Sequence, residues 1–368
     1  MGASGNDSIS ESLPIERESF VAAELIAAHR PRWGSENKRA VYEMACAEGA
    51  EHGGRVDYTR WAAMELPARF DAGLVRSARP APTVRPARPD DGLQIEATGG
   101  HYDYARVSDL PSAVEWHVNF ADPSLFGYYQ SSLFAQDEIQ VAEHPVLGAL
   151  LDGLAERGCS PHTETRGRPT PVLVMGAERR CHVETAAGHD ADNPRGLYGN
   201  AFGAADIEAV RRATRIINPP TISNIIAIAA PAGGSGEYTS GDIESVLVTA
   251  YTGFHAAVIE SIRCHGPNAE VVVHTGFWGC GAFGGNRVLM PALQMIAAAM
   301  AGIDRVVFHT GGGSKAGDGP EKGSGSDAFE AGFDLYRRLA VKAAPVQTST
   351  LIDSLVERGF VWGMGDGN

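Results

Sequence analysis

A glycine-rich turn is the segment of this chain whose residues are best suited to binding a ligand. Residues 275–286 read TGFWGCGAFGGN, with five glycines from Gly276 to Gly285. The β-branched run 270–274 before them predicts a strand, and the apolar stretch 289–300 after them predicts a helix. Bare N–H groups at a helix N-terminus favour an anion, above all phosphate. The turn therefore predicts a phosphorylated, nucleotide-like ligand, and a tight corner without a ligand is the alternative.

The turn also contains the spacing of a dinucleotide fingerprint, in Gly279, Gly281 and Gly284. That motif needs an acidic residue at the end of the next strand to hold a ribose. His309 and Thr310 occupy that place, and too little chain follows to complete a Rossmann sheet. We therefore reject a Rossmann interpretation.

A pair of adjacent acids is the second group with chemical potential. Asp137 and Glu138 follow Gln136 in a predicted helix, 131–143. Glu138 shares a helix face with the apolar Val141, so its carboxyl is expected to be partly desolvated. Desolvation raises the pKa of a carboxyl and makes it a candidate general acid. The alternative, a solvated acidic pair on a surface helix, is equally compatible with the pattern.

The elements around these groups predict an α/β fold. Residues 114–120 alternate between apolar and polar and predict a strand that leads into the loop 122–130. From residue 224 onward, strand and helix patterns alternate, which predicts a parallel sheet with helices on its faces. Both distinctive loops leave strands at their carboxyl ends, where such sheets bind ligands.

Together, these segments resemble the catalytic domain of the poly(ADP-ribose) glycohydrolase family, a macrodomain-fold enzyme. The run 118–122 (VNFAD) resembles the family's V-D-F-A-N, and 136–138 (QDE) resembles its Q-E-E. Residues 144–147 (HPVL) follow in the place of its N-P-E-L. Residues 275–286 match its T-G-x-W-G-C-G-A-F-G-G-D at all but the last position. The resemblance covers about residues 114–310 and implies a three-layer macrodomain-like fold with a mixed, mostly parallel sheet.

The resemblance also implies roles for these residues. Glu138 corresponds to the glutamate that protonates the leaving ribose oxygen as the glycosidic bond of ADP-ribose opens, and Asp137 to its acidic neighbour. Gln136, Asn119 and Asp122 are the further residues expected around the substrate. The diphosphate cradle corresponds to the turn residues Gly279, Cys280, Gly281, Ala282, Phe283, Gly284 and Gly285.

The sequence departs from the family pattern around the ribose. Phe126-Gly127-Tyr128 replaces a triple glycine, so two aromatic side chains are expected in the substrate loop. Asn119 and Asp122 exchange the family's Asp and Asn, and Thr310 replaces an aromatic residue. The adenine-stacking tyrosine has no firm counterpart, Tyr198 being the nearest. We therefore expect an intact diphosphate side and a remodelled ribose side.

Composition excludes several other classes. The formal net charge of −14 argues against a protein that follows bare nucleic acid or an anionic membrane. No apolar run is long enough to predict a membrane span, and the polar N-terminus does not resemble a signal peptide. Five cysteines without metal-ligand spacing favour a reduced, cytoplasmic setting and predict neither a metal nor a cofactor.

The chain is expected to divide into five parts. Residues 1–15 predict a disordered tail, and 16–110 a helical accessory region with a Pro-rich connection, including a helix over Tyr58–Phe70. The core spans 111–310, the loop 311–327 is expected to be flexible, and 328–368 predicts helices.

The functional hypothesis is therefore a glycohydrolase that acts on an ADP-ribose derivative, either a small molecule or a modified macromolecule. Its rival is a non-catalytic ADP-ribose-binding module, because aromatic side chains in the substrate loop would close the catalytic face. An inert scaffold with a structural corner is the third alternative. Cys280 is expected to be a small buried thiol, and the strand-end His274 and His309 are expected to be able to meet in space.

Overall fold

The computed structural model describes residues 14–47, 52–70, 92–188, 195–231, 233–311, 325–340 and 345–365. Residues 1–13 of the predicted tail 1–15, the Pro-rich stretch at 78–91 and residues 312–324 of the predicted loop 311–327 lie outside these residues.

Strands and helices alternate along the described chain. The strands are β1 (Glu16–Val21), β2 (Arg55–Arg60), β3 (Arg69–Phe70), β4 (Gln94–Thr98), β5 (Ala113–Ala121), β6 (Glu164–Thr165), β7 (Arg168–Pro169), β8 (Val172–Val183), β9 (Thr214–Ala229), β10 (Glu270–Gly276), β11 (Arg305–His309) and β12 (Val346–Gln347). The helices are α1 (Ala22–Ala28), α2 (Glu36–Ala45), α3 (Gln136–Glu143), α4 (Val146–Glu156), α5 (Asn200–Ala204), α6 (Ile207–Ala213), α7 (Ser240–His265), α8 (Leu289–Ala301), α9 (Gly325–Ala340) and α10 (Thr348–Val356).

Eight strands form the main sheet, in the order β1-β2-β8-β9-β5-β10-β11-β4. The pairings from β9 through β5, β10 and β11 to β4 are parallel, and the three pairings on the β1 side are antiparallel. The predicted mixed, mostly parallel sheet is confirmed. The crossovers β9-α7-β10 and β10-α8-β11 give it the expected parallel strands.

The sheet lies between two layers of helices. Helices α7, α8, α9 and α10 enclose one apolar core, and α1, α2, α3, α4 and α6 enclose another on the opposite face. Strand β5 shows how the alternation of its residues serves both layers. Trp116 and Val118 point into the first core, whereas His117 and Asn119 are buried on the side of α3. The predicted three-layer arrangement is therefore confirmed.

The prediction of helices throughout the N-terminal part was wrong for several segments. Residues 55–60 form β2, which pairs with β8 in the main sheet, and Tyr58–Phe70 contains no helix. Residues 16–21 form β1 before the chain turns into α1. The physical reason is tertiary pairing: β2 covers the free edge of β8, and the gain from ladder hydrogen bonds overrides the helical spacing of its apolar residues.

Helix α7 is the long core helix of the first layer. Its N-terminus is capped reciprocally by Thr239 and Asp242, and it ends at Gly266, whose φ is +84°. It is long and apolar enough to cross a membrane by length and composition, which the sequence had not suggested, yet 72% of its most apolar window is buried within the fold. Its apolar residues are explained by packing on the sheet.

Gly253 is the closest approach of α7 to the sheet. A Cβ at this position would lie 2.9 Å from the Cγ2 atoms of both Ile226 and Ile228 on β9. Gly253→Ala is therefore expected to lower the free energy of unfolding by about 1–3 kcal/mol relative to Gly241→Ala in the same helix. A Cβ on Gly241 would meet only the side chain of the N-cap residue Thr239, at 3.8 Å. Both variants gain the higher helix propensity of alanine, so this gain cancels in the comparison. Urea unfolding measures the difference, and equal stability of the two variants would contradict this packing.

Candidate functional site

The N-terminus of α3 is fastened to the carboxyl end of β5 by one side chain. Gln136 accepts a hydrogen bond from the N–H of Phe120 (2.7 Å) and donates one to the carbonyl of Val118 (3.1 Å). These two backbone groups lie beyond the last residue of β5 that pairs with β10, and the Gln136 side chain supplies the hydrogen bonds that a strand would otherwise supply. This contact fixes the position of the two acids that follow it in sequence.

Asp137 and Glu138 are both buried at this helix N-terminus. They are 5% and 2% exposed. Burial raises the pKa of each carboxyl, and for Asp137 the neighbouring charge of Glu138 raises it further. The predicted desolvation of Glu138 is confirmed, and the surface-helix alternative is excluded.

Each acid keeps one oxygen that other residues do not use. Asn119 donates to Oδ1 of Asp137 (2.8 Å), while Oδ2 of Asp137 is buried without a partner in the described chain. The N–H of Ala135 donates to Oε2 of Glu138 (3.0 Å). Within the described ranges, no other residue donates a hydrogen bond to the Glu138 carboxyl, and its own backbone N–H lies beside it. The arrangement leaves one oxygen of each acid available to a ligand.

Two further charged groups lie beside the acids, and the sequence predicted only one of them. Asp122 follows β5, and burial raises the pKa of its carboxyl. Lys38 of α2 is fully buried and donates from Nζ to the carbonyl of Tyr129 (2.9 Å). Its charge interacts with both Glu138 and Asp137. The sequence did contain a sign that Lys38 is buried, because it shares a helix face with the apolar Val41.

The loop 122–130 places its two aromatic residues differently from the prediction. Phe126 adopts a left-handed conformation with φ +52°, and its side chain is fully buried in the second core. Its ring therefore does not line the site, which corrects the expected side-chain role of Phe126. Gly127 is exposed, and Tyr128 is 57% exposed at the rim of the loop. The backbone keeps a shape that glycine favours, because the core absorbs the aromatic ring.

The glycine turn holds its own shape and leaves several donors unused. The N–H of Gly285 donates to the carbonyl of Gly279 (2.8 Å), and the N–H of Gly284 to that of Gly281 (3.1 Å). The N–H groups of four turn residues have no acceptor among the residues the structure describes: Gly279, Gly281, Ala282 and Phe283. Such a cluster of unpaired amides is the geometry that binds anions.

The C-terminal segment 360–365 packs against this turn. The N–H of Gly363 donates to the carbonyl of Gly284 (2.7 Å), and Asn286 donates from Nδ2 to the carbonyl of Val361 (3.1 Å). Trp362 stacks on Tyr238 with ring centroids 4.1 Å apart. Sequence reasoning did not predict this contact, because nothing in a short Gly-rich tail indicates its partner.

The strand ends connect the two halves of the site. A Cβ on Gly276, at the end of β10, would lie 3.4 Å from Cζ of Phe120. The residues after β9 complete the link, because a Cβ on Gly279 would lie 3.2 Å from Cβ of Ala230. Ala230 in turn donates to the carbonyl of Ala121 (3.3 Å). The acids and the glycine turn therefore share the carboxyl edge of β5, β9 and β10.

The remaining singled-out residues lie around this edge. Burial raises the pKa of the Cys280 thiol to about 12, which fits an inert thiol. His274 and His309 meet as predicted, with Nδ1 and Nε2 3.1 Å apart. Tyr198 stacks on His101, with ring centroids 5.2 Å apart. Within the described ranges, no group of three or more His, Cys, Asp or Glu residues is arranged for a metal ion.

The buried carboxyl of Asp137 is expected to cost stability. Its pKa in the fold lies above the ordinary value of 3.8, so the unfolded state releases its proton first as the pH rises. The stabilising contribution of the neutral acid is complete below that value and is lost as the pH rises through the folded pKa. Asp137→Asn keeps the acceptor for Asn119 and is expected to be about 1–3 kcal/mol more stable at pH 8.

Urea unfolding of Asp137→Asn and wild type from pH 4 to 8 measures this difference, which should grow with pH. Asp152→Asn on α4 is the matched control, because its side chain is 47% exposed. A stability difference for Asp137→Asn that does not vary with pH would contradict a desolvated acid.

Comparisons with known proteins agree with the predicted relationship. Residues 191–317 match the sequence model of the family described as Poly (ADP-ribose) glycohydrolase (PARG), Macro domain fold. No curated protein sequence matches the chain.

Solved structures of the same family are also similar to this chain. One is the poly(ADP-ribose) glycohydrolase of Thermomonospora curvata, at 14% identity and a TM-score of 0.43, covering 84% of this chain and 96% of that one. A second structure of that enzyme holds the inhibitor ADP-HPD, at 16% identity and a TM-score of 0.41, with coverages of 84% and 96%. The enzyme of Deinococcus radiodurans in complex with ADP-ribose is 13% identical, with a TM-score of 0.37 and coverages of 74% and 94%. Residues 191–317 are thus similar to the poly(ADP-ribose) glycohydrolase family of the macrodomain fold, and the three-layer arrangement around the mixed sheet agrees with that fold.

Proposed function

We propose that this protein is a glycohydrolase that cleaves the ribosyl glycosidic bond of an ADP-ribose derivative. The observation that carries the proposal is the buried carboxyl of Glu138 at the same sheet edge as the unpaired amides of the glycine turn. Glu138 supplies an acid, and the turn supplies an anion site. The family match over 191–317 supports the same chemistry from an independent direction.

In the proposed reaction, Glu138 is the general acid. Burial favours its protonated form, so that it can give a proton to the leaving oxygen as the bond to the anomeric carbon breaks. Positive charge then develops on the ribose ring. A water molecule adds to the anomeric carbon, and the Glu138 carboxylate takes up its proton, which restores the acid.

The neighbouring groups orient the sugar in this proposal. Oδ2 of Asp137 lacks a partner within the described chain and is placed to bond a ribose hydroxyl, while Asn119 fixes the other oxygen. The amides of Gly279, Gly281 and Ala282 bind the diphosphate. Holding the diphosphate and ribose together aligns the glycosidic bond with Glu138, which lowers the entropic part of the barrier.

The chemical class of the group that leaves is a further part of the proposal. Tyr128 is exposed at the rim of the loop, where the family pattern has a glycine, whereas the ring of Phe126, two residues earlier, turns inward. We include both a poly- and a mono-ADP-ribose conjugate as substrates. The rival function, an ADP-ribose-binding module without turnover, depends on Tyr128 alone, because the ring of Phe126 does not enter the site.

Replacing the acid tests the assignment of Glu138. Glu138→Gln is expected to reduce release of ADP-ribose by about 10²- to 10⁴-fold, because an amide cannot donate a proton to the leaving oxygen. Binding of ADP-ribose should change little, since the amide carbonyl still accepts from Ala135. Chromatographic detection of released ADP-ribose and calorimetry measure the two quantities.

Glu156→Gln is the matched control, because that carboxyl is 69% exposed on α4 and should leave turnover unchanged. Equal turnover by wild type and Glu138→Gln would remove Glu138 from the reaction. Tight binding of ADP-ribose by wild type without turnover of polymer or of a mono-modified protein would establish the binding module instead.

The diphosphate site has its own test. Gly284 has a φ of +64°, and a Cβ there would lie 2.4 Å from the carbonyl oxygen of Gly363. Gly284→Ala is therefore expected to displace the turn and to weaken ADP-ribose binding by about tenfold or more. Gly158→Ala, with a φ of +70° and open space around it, carries the same backbone strain away from the site. Equal affinities for these variants in calorimetry would rule out a role of the turn in binding.

A further inference from the structure

Lys38 is a buried cation that sequence analysis did not connect with the site. Its side chain is completely buried between α2, the loop 122–130 and the N-terminal part of α3. Its ammonium donates to the carbonyl of Tyr129 and lies 6.0 Å from the ring centre of Phe134. The described residues supply one acceptor for three N–H donors.

A lysine is an unfavourable choice for this position on structural grounds alone. Burying an ammonium ion is costly, and a positive charge beside the N-terminus of α3 opposes the helix dipole. Desolvation accordingly lowers the pKa of Lys38 to about 8. A glutamine would offer an N–H donor to the same carbonyl without a charge, so the charge itself requires an explanation.

The surrounding carboxyls provide that explanation. Glu138 and Asp137 on α3 both interact with the Lys38 charge, and Asp122 adds its own negative charge beside the two acids. On the opposite side of α3, Glu143 is already paired with Arg179 at 2.8 Å. Among the described residues whose charges influence Glu138, Lys38 is the cation that opposes two buried acids and the half-buried Asp122.

We propose that Lys38 is a positioning residue of the reaction, an inference that rests on the proposed glycohydrolase function. Its ammonium holds the Tyr129 carbonyl of the substrate loop and stabilises the negative charge that Glu138 acquires after giving up its proton. The N-terminal helix α2 thereby acts on an acid that belongs to the core of the fold. The charge of Lys38 acts on Glu138 and Asp137 directly, and Asp122 adds to the negative charge around them.

Lys38 has two proposed effects, the hydrogen bond to the Tyr129 carbonyl and the charge near Glu138, and different variants separate them. Lys38→Gln keeps a donor for the Tyr129 carbonyl but removes the charge, Lys38→Arg keeps a charge, and Arg39→Gln removes an exposed charge from the same helix. For Lys38→Gln we expect at least a tenfold loss of kcat with a smaller change in KM. The alkaline limb of its pH–rate profile should move to higher pH, because Lys38 lowers the pKa of Glu138. Lys38→Arg should recover much of kcat, and Arg39→Gln should behave as wild type.

A measurement without turnover makes the inference independent of activity and of any single variant. Carbon-13 NMR of the glutamate carboxyls, with the Glu138 signal assigned by its loss in Glu138→Gln, gives the titration of Glu138 directly. The signal should titrate at higher pH in Lys38→Gln than in wild type or Arg39→Gln. If Lys38→Gln does not fold, Lys38→Met provides the second uncharged variant.

The outcomes are distinguishable. An unchanged Glu138 titration in Lys38→Gln overturns the inference whatever the activity, as does a lower kcat with an unmoved pH profile, which would indicate a structural lysine. If the Glu138 titration shifts in Lys38→Gln but the wild-type protein releases no ADP-ribose, the proposed function is overturned, and with it the role of Lys38 in that reaction. A shifted titration together with a shifted alkaline limb supports both.

Discussion

Desolvation of two adjacent carboxyls at the N-terminus of α3 is the constraint on which the site depends. Two unpaired acids would not remain buried at about 5% exposure or less without compensation. The compensation comes from several elements: the amide of Asn119 on β5, the amide N–H of Ala135, and the ammonium of Lys38 on α2. The two hydrogen bonds each use one oxygen of an acid, and Oδ2 of Asp137 has no hydrogen-bond partner in the described chain. The carboxyls therefore stay buried with raised pKa values, which is the condition that general acid catalysis near neutral pH requires.

The sheet makes this compensation possible because its two faces differ. One face of β5, β10 and β11 carries aliphatic residues against α7 and α8. The other carries a polar row in which His117 stacks on His274, His274 meets His309, and Glu115 accepts from His274 at 3.1 Å. Asn119 continues this row to the acids. A buried polar face is less stable than an aliphatic one and holds helix α3 by directional contacts, which specify its position more strictly than apolar packing.

Local pattern was sufficient where an element is determined by its own sequence. The strand β5 and the crossovers from β9 to β11 follow from periodicity, and β5 is found within one residue of its expected bounds at each end. Local pattern failed where a contact with another part of the fold decides the structure of a segment. Residues 55–60 form a strand because β8 offers an edge, and β9 begins ten residues earlier than its apolar run because β8 continues beside it. Lys38 was missed for the same reason, since only the tertiary fold brings its charge close enough to Glu138 to interact with it.

Phe126 shows why residue type alone misjudged the substrate loop. Two aromatic residues in place of glycines suggested a closed catalytic face, which was the argument for the rival hypothesis of a binding module. The backbone instead accepts a left-handed φ of +52° at Phe126, and the ring fills the second core beside Leu125 and Phe134. The strain of that conformation is on the order of 1 kcal/mol, whereas burial of a phenylalanine contributes about 1.5–3 kcal/mol. The core contribution exceeds the strain, so Phe126 holds a backbone conformation that glycine favours, and the exposed Tyr128 is left as the aromatic side chain of this triplet that a substrate can meet.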